Sequence, residues 1–367
     1  MAAPLSDPVA GVQDLIASWV RVKVTYTFAR LNVADALQPT GTAKTCQELA
    51  SILEAHEDSL YRVLRTAGQL GLVTEEAGDH ESDTDMYAVR GGRRFVLTPM
   101  GEVLKEDHPT QFKYFSMVWG LPAHAESQNK LFETVKTGQP GCKLAFGADH
   151  LFQLLDKDPM EHEIFNQGMT SHSNMQGKIV AASYDFSKCK KVVDVGGSKG
   201  TLVQLILDAH PGLPLGISLD RKELIDTLPP LPANSRLQFA TGDFFEPLPE
   251  SVHGADVVLM KFIMHDWGDA DCKRILDNCK AILAPGGLIM CVEMVMGETA
   301  GAAPGSLPIY QQAMDLTMLS VLKRGRERTL KDWDGLAASA GLKLIASPSG
   351  SYVWGQAPGT MVVMQPV

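Results

Sequence analysis

Apolar and polar positions change rhythm along this chain. From residue 8 to 37 apolar residues recur at helical spacing. Val12, Leu15, Ile16, Trp19 and Val20 form one stripe, and Val24, Phe28, Leu31 and Ala34 continue it. Such a face packs either on its own core or on a second subunit, and the pattern leaves both open. A Thr-Cys-Gln-Glu start, which resembles a capping box, opens a helix over 45–53. A second helix over 58–70 carries Leu60, Val63, Leu64, Ala67 and Leu70 on one face and stops at Gly71. Short strands are predicted at 72–74, 86–89 and 95–97, with a polar, acidic loop over 75–85 and an arginine-rich turn over 90–94. Residues 110–185 read as mostly helical and concentrate aromatic residues. Most of these belong to a core. Phe165, Met169 and His172, about a turn apart, are candidates for an aromatic-acceptor pocket at a domain interface.

From Lys191 strands and helices alternate, the mark of a mostly parallel sheet. Strands are predicted at 191–195, 214–219, 236–241, 255–262, 286–294, 342–347 and 360–366, and helices at 201–210, 269–284, 309–322 and 329–341. The short Gly/Pro-containing link at 349–358 allows the last two strands to pair antiparallel.

The stretch Lys191–Gly200 organises this half. A β-branched strand turns through Gly196, Gly197 and Gly200 into a helix, which is how an α/β sheet brings backbone close to a bound nucleoside. Ser198 occupies the second glycine position of a dinucleotide fingerprint, and Lys199 precedes the glycine that a P-loop would need before its lysine. The remaining pattern, Asp194 to Gly200, suits a ligand without pyrophosphate and with a cationic amino acid end.

Ligands of open α/β sheets bind at the carboxyl ends of strands. Asp220 ends the second strand, placed to accept both ribose hydroxyls. Asp243 and Phe244 follow the third, placed for an adenine amino group and ring. Lys261 and His265 follow the fourth, and Glu293 ends the fifth. The structural alternatives are a helix cap for Asp220 and a turn aspartate with a core phenylalanine for the next pair. His265 with Glu293 from the neighbouring strand and Glu327 from a later loop makes a usable general base, since carboxylates can orient the imidazole.

Composition narrows the field. The formal charge of −10 over 367 residues argues against a uniform nucleic-acid coat. Six cysteines without a C-x-x-C fit reduced thiols in an intracellular protein. The first residues lack a basic region and a long apolar run, and no apolar stretch approaches the ~20 residues of a membrane span, so the expectation is a cytoplasmic protein. Helix, helix and two-stranded wing form a winged-helix layout, which raises DNA binding. The second helix, however, offers only Arg62, Arg65 and Gln69 as long polar side chains.

Together these residues resemble the plant-type, caffeic-acid and hydroxyindole O-methyltransferase family. The resemblance covers nearly the whole chain through LTPMGEVL (97–104), TGQP (137–140), FNQGM (165–169), VVDVGGSKG (192–200), GDFF (242–245), MKFIMHDWGD (260–269), APGG (284–287), MDLTML (314–319) and GRERT (325–329). It implies a Rossmann-like α/β methyltransferase domain with a seven-stranded, mostly parallel sheet over 186–367. It also implies a winged-helix dimerisation domain over 1–110, a helical connector over 111–185, and a homodimer. The implied cofactor is S-adenosylmethionine, leaving S-adenosylhomocysteine, with no metal. Carried over, Gly196, Asp220, Asp243, Phe244 and Lys261 bind it. His265 is the base, flanked by Glu293 and Glu327. Phe165, Met169, Met314 and Met318 border a small hydroxylated acceptor, and His172 and Ser173 match a helix near the sulfonium. Two departures stand out: Gly-Gly-Ser-Lys-Gly replaces the usual G-G-G turn, and SLDRKEL surrounds Asp220 where the family has Asp-Leu-Pro.

The expected reaction is direct methyl transfer to a hydroxyl, accelerated mainly by near-attack geometry. Methyl transfer to nitrogen is one rival. A non-catalytic winged-helix sensor of the cofactor is another, although a sensor needs no base.

Overall fold

The computed structural model describes residues 7–76, 93–298, 309–355 and 360–367. The chain forms two compact units. One comprises residues 1–125 and 155–172, the other residues 126–154 and 173–367.

In the first unit the expected N-terminal helix is broken into Pro8–Ala17, Trp19–Arg30 and Val33–Ala36. Asp7 caps the first by accepting from the Val9 amide. Its apolar stripe finds little cover among the described residues: Val12, Leu15, Ile16 and Trp19 are 55–71% exposed, whereas Phe28 and Ala29 are buried. The capping box is present at Cys46–Ile52, where Thr45 and Glu48 satisfy each other's backbone amides. Helix Glu57–Gln69 buries Leu60, Leu64 and Ala67, and Gly71 follows at φ +79°. A small antiparallel sheet completes this core: β1 (Lys44–Thr45), β2 (Val73–Glu76) and β3 (Arg94–Leu97), in the order β1-β3-β2. The second strand therefore runs to Glu76, beyond the expected 72–74. Phe95–Leu97 pairs with it, and the strand expected at 86–89 lies outside the described residues.

The second unit is built on β4 (Lys191–Val195), β5 (Leu215–Asp220), β6 (Leu237–Thr241), β7 (Ala255–Lys261), β8 (Leu283–Val292), β9 (Val295–Met296), β10 (Arg328–Thr329), β11 (Leu342–Leu344), β12 (Val353–Trp354) and β13 (Met361–Pro366). The large sheet has the order β11-β13-β8-β7-β4-β5-β6, and β12 adds to β13 as an eighth strand. The run from β8 to β6 is parallel, while β13 is antiparallel to both neighbours. Strand β8 starts at Leu283, three residues ahead of expectation, because the pairing with β7 shifts register between Ala255 and Val257 and takes in Ala284–Gly287. The two-residue strands β9 and β10, which pair in parallel, and β12 were too short to carry a periodic signal.

Both faces of β4 are buried, so Val192, Val193 and Val195 are apolar on either side, interrupted by the buried Asp194. Val193 and Val195 pack under the helices Asp269–Ala281 and Leu330–Ser339, with Trp333 fully buried. Val192 packs on the other face with Leu202, Val203 and Ile206 of helix Thr201–Ala209. Contact on this face is close at Gly216. A Cβ there would lie 2.3 Å from Val203 Cγ1 and 3.1 Å from Leu207 Cδ1. Val203 is buried and branched, so it cannot yield cheaply. Gly216→Ala is expected to cost roughly 1–3 kcal/mol by overpacking, measured as a lower urea or thermal midpoint. An unchanged midpoint would contradict this packing.

Candidate active site

The chain turns sharply after β7. Phe262 takes the left-handed conformation at φ +54°, an unfavourable state for a bulky side chain that neighbouring contacts must hold. The turn aims Lys261 and Phe262 differently and delivers His265 into a short 3-10 turn, Met264–Asp266. The Phe262 ring stacks on the His265 imidazole at 5.1 Å and 11°, and Lys261 Nζ lies 4.7 Å from the centre of that ring.

Glu293 follows β8, the strand beside β7. Its Oε1 accepts from the backbone amides of Ile263 (3.1 Å) and Met264 (2.8 Å), so it fixes the turn that carries the histidine. Its Oε2 lies 3.6 Å from His265 Nδ1. Glu327 Oε1 is closer, 2.8 Å from Nδ1, and the Glu327 amide donates to Asp315 Oδ1 on helix Ile309–Val321. The structure thus brings His265, Glu293 and Glu327 together, all buried. Asp266 completes a third side, with Oδ1 3.4 Å from Nε2. Burial opposes the charged imidazolium, but the carboxylates of Glu293, Glu327 and Asp266 outweigh it and push His265 up to about 10. Burial raises the Glu293 carboxyl, with His265 opposing.

Arg328, 2% exposed, ties this loop down. Its guanidinium donates to the carbonyl oxygens of Met264 (2.6 Å) and Trp267 (2.8 Å) and to Asp269 Oδ1 (2.9 Å).

The glycine turn follows β4, next to β7. Gly196, at φ +75°, faces Ile263 and Phe244. A Cβ on it would lie 2.5 Å from Ile263 Cδ1 and 4.0 Å from Phe244 Cε1. The turn, the third strand's Phe244 and the approach to His265 therefore share one place. Burial lifts the Asp194 carboxyl to about 7, with Lys261 opposing. Burial lowers the Lys261 amine to about 8, with Asp194 and Glu293 opposing. Asp220 Oδ2 accepts from the Ser198 amide (3.0 Å) and Oδ1 from the Arg221 amide (2.7 Å), and Asp243 Oδ1 accepts from the Phe245 amide (2.9 Å). Asp220 is not the cap of the short helix Lys222–Ile225, since Arg221 occupies that position.

Met314 and Met318, one turn apart on helix Ile309–Val321, are both 7% exposed. Phe165 and Met169 lie in the first unit, on the N-terminal part of helix Pro159–Ser183, where Phe165 stacks near His124 and His172 stacks on Phe115. A cavity of about 250 Å³ opens in the second unit beside Asp266, walled by Phe152, Trp267 and Leu322; Met314 and Met318 do not line it.

An O-methyltransferase domain model matches residues 129–343, and an O-methyltransferase dimerisation domain model matches residues 13–107. The chain belongs to the O-methyltransferase family. It is 32% identical over 335 residues to a 2,7-dihydroxy-5-methyl-1-naphthoate 7-O-methyltransferase of Streptomyces carzinostaticus, covering 89% of this chain and 90% of that one. It is 30% identical over 345 residues to a mitomycin biosynthesis 6-O-methyltransferase of Streptomyces lavendulae, covering 93% and 91%. Among solved structures, an O-methyltransferase from neocarzinostatin biosynthesis superposes with a TM-score of 0.71 at 29% identity, covering 100% of both chains. That structure holds S-adenosyl-L-homocysteine and 1,4-dihydroxy-2-naphthoic acid. This protein is an S-adenosylmethionine-dependent O-methyltransferase.

The residues of its glycine turn fit that cofactor. Gly197 has no room for a Cβ, which would lie 2.5 Å from Ser218 Oγ and 2.8 Å from Asp194 Oδ2. Asp220 uses two of the roughly four acceptor positions of a carboxylate, which leaves capacity for a diol. Asp194 Oδ1 is buried without a hydrogen-bond partner among the described residues, an acceptor suited to a cationic group. Ser198, at φ +50°, and Lys199 are exposed, so the two unusual residues of the turn face away from this core.

Sequence reasoning missed Asp266, Asp315 and Arg328. Asp266 and Arg328 lie inside the quoted motifs MKFIMHDWGD and GRERT, but only the folded loop shows what they touch. Removing the Arg328 guanidinium leaves the Met264 and Trp267 carbonyl oxygens with only long bonds, from Cys272 Sγ to both and from the Trp267 amide to Met264. Arg328→Met is expected to destabilise the protein by roughly 1–3 kcal/mol, read by urea unfolding. A loss below the error of that measurement would show the loop is held otherwise.

Proposed function

We propose that His265 is the general base that removes the proton from the acceptor hydroxyl during methyl transfer. The observation that carries this reading is the 2.8 Å contact between His265 Nδ1 and Glu327 Oε1. A carboxylate there accepts from Nδ1–H, which leaves the Nε2 lone pair for an acceptor proton. Asp266 approaches Nε2 only to 3.4 Å, longer than a good hydrogen bond, so an acceptor hydroxyl competes well for that position. Glu293 and Glu327 orient the ring and stabilise it once protonated.

Gly196, Asp220, Asp243, Phe244 and Lys261 would hold the cofactor, which supplies an electrophilic methyl group when bound. Asp220 has acceptor capacity for hydroxyls, and Phe244 offers a ring face beside Gly196. Lys261 is held between Asp194 and the Phe262 ring. A phenol with a pKa near ~10 is not ionised in advance at neutral pH. The work of this chain is to orient the hydroxyl and take its proton as the bond forms.

The acceptor is a small hydroxylated aromatic or enolic metabolite. The naphthoate in the name of one relative and the dihydroxynaphthoic acid bound by a structural neighbour support this class. Met314 and Met318, one turn apart on helix Ile309–Val321, are proposed to border it, since thioethers adapt to flat rings. The protein acts as a homodimer. The exposed stripe of Val12, Leu15, Ile16 and Trp19 lies across the start of the matched dimerisation domain and supports this. No described helix is long and apolar enough to cross a membrane.

His265→Gln is expected to lower kcat by roughly 10²- to 10⁴-fold while leaving S-adenosylhomocysteine affinity unchanged in calorimetry. Turnover equal to wild type would sink the base assignment. The pH profile gives an independent check. A base held protonated up to about 10 in the cofactor-free chain gains activity as pH rises through its pKa. Glu327→Gln removes one negative charge from Nδ1, so the rising limb of kcat/KM should move to lower pH. Phenol ionisation is common to both enzymes and cannot produce that difference; superimposable profiles would exclude this electrostatic role.

A further inference from the structure

The ligating atoms of His265, Glu293 and Glu327 all lie within 4.8 Å of one another, and the three side chains are buried. Hydrogen bonding does not exhaust this cluster. Glu293 Oε2 and Glu327 Oε2 are buried and have no hydrogen-bond partner among the described residues, on side chains only 2% and 6% exposed. Glu293 Oε2, 3.6 Å from Nδ1, and the second oxygen of the Glu327 carboxylate that accepts from Nδ1 leave more acceptor capacity than a single Nδ1 proton can satisfy.

We propose that this cluster is a binding site for a zinc ion, through which zinc reversibly silences the enzyme. The metal is not needed for the reaction. Zinc binds nitrogen and oxygen ligands at about 2.0–2.2 Å in tetrahedral sites, which separates the ligand atoms by roughly 3.3–3.6 Å. Here Glu293 Oε2, 3.6 Å from His265 Nδ1, already meets that spacing, Glu327 Oε1 at 2.8 Å would draw back by less than about 1 Å, and all three ligand atoms lie within 4.8 Å of one another. Ligand positions are fixed from behind, as metal sites require. The other oxygen of Glu293 is held by the amides of Ile263 and Met264, and the Glu327 backbone by Asp315. The two carboxylates balance the charge of the ion, and Asp266 adds a third negative group on the far side of the ring. One nitrogen and two oxygens from the protein, with a fourth position for water, suit zinc. Magnesium and calcium, which prefer six or more oxygens, are disfavoured.

Zinc takes the Nδ1 lone pair and displaces the proton that Nδ1 shares with Glu327: from the imidazolium that proton leaves for the solvent, and in the neutral ring it moves to Nε2. In both cases a neutral ring remains with its one proton on Nε2 and no lone pair there. This silencing rests on the proposed role of His265 as base, whereas binding of the ion does not.

The test uses the full chain, freed of metal with EDTA and titrated with zinc chloride by calorimetry in the absence of cofactor. One zinc per chain is expected, with affinity reduced at least about tenfold in Glu327→Gln and in Glu293→Gln, and no comparable heat from magnesium chloride. X-ray absorption at the zinc edge on the wild-type protein guards against variants that fail to fold. It should show nitrogen and oxygen neighbours near ~2.0 Å and no sulfur near ~2.3 Å, which separates this cluster from the buried cysteines. Methyl transfer should fall as the site fills and return on adding EDTA. Sulfur ligation, undiminished affinity in both variants, or no zinc uptake at millimolar concentration would overturn the site. Zinc held by nitrogen and oxygen with turnover unaffected would leave the site standing and overturn its silencing role together with the base assignment.

Discussion

The carboxylate of Glu293 is the constraint on which the site depends. It leaves the end of one buried strand and grips two consecutive amides at the end of the next. Those amides belong to the turn that Phe262 enters in a left-handed conformation. A buried carboxylate is costly unless hydrogen-bonded, and a strained turn is costly unless clamped. Each requirement is met by the other. Strand pairing between β7 and β8 sets the distance between them, so the reactive histidine inherits its position from the sheet rather than from a mobile loop.

Electrostatics make the same cluster unusual. One imidazole faces Glu293, Glu327 and Asp266. Any single partner would orient the ring; three of them favour its cationic form strongly. A cluster so rich in negative charge is complementary to a cationic ligand, and the neighbouring Asp194 and Asp220 extend the same bias to the glycine turn. Lys261 is the counterweight, a half-buried amine whose charge Asp194 and Glu293 favour against desolvation. The proton affinity of His265 is set by burial against Glu293, Glu327 and Asp266.

Much of this was legible in the sequence. The glycine turn could be read because positive φ and absent Cβ atoms leave a direct residue signature, as Gly196 and Gly200 show. The capping box at Thr45 is equally local. The central parallel strands could be read because burial on both faces makes them rich in β-branched and aliphatic residues, as in β4 and β7. The early start of β8 could not, since a register shift against β7 depends on the neighbour. Nor could β12, where two residues are too few for a pattern. Asp266 and Arg328 were hidden for another reason. Their importance lies in partners 59 to 64 residues away or across a ring, and sequence spacing says nothing of those contacts. The break in the first helix at Ser18 was likewise invisible, because the apolar stripe continues through it.

That stripe has a consequence for how the protein behaves in dilute solution. Val12, Leu15, Ile16 and Trp19 are large apolar side chains left mostly in water among the described residues. In the proposed homodimer, covering them against a second copy would make association part of the folding free energy, and apparent stability would become a function of protomer concentration. A melting temperature would then have meaning only beside the concentration at which it was taken, and loss of activity on dilution would reflect mass action before any damage to the chemistry.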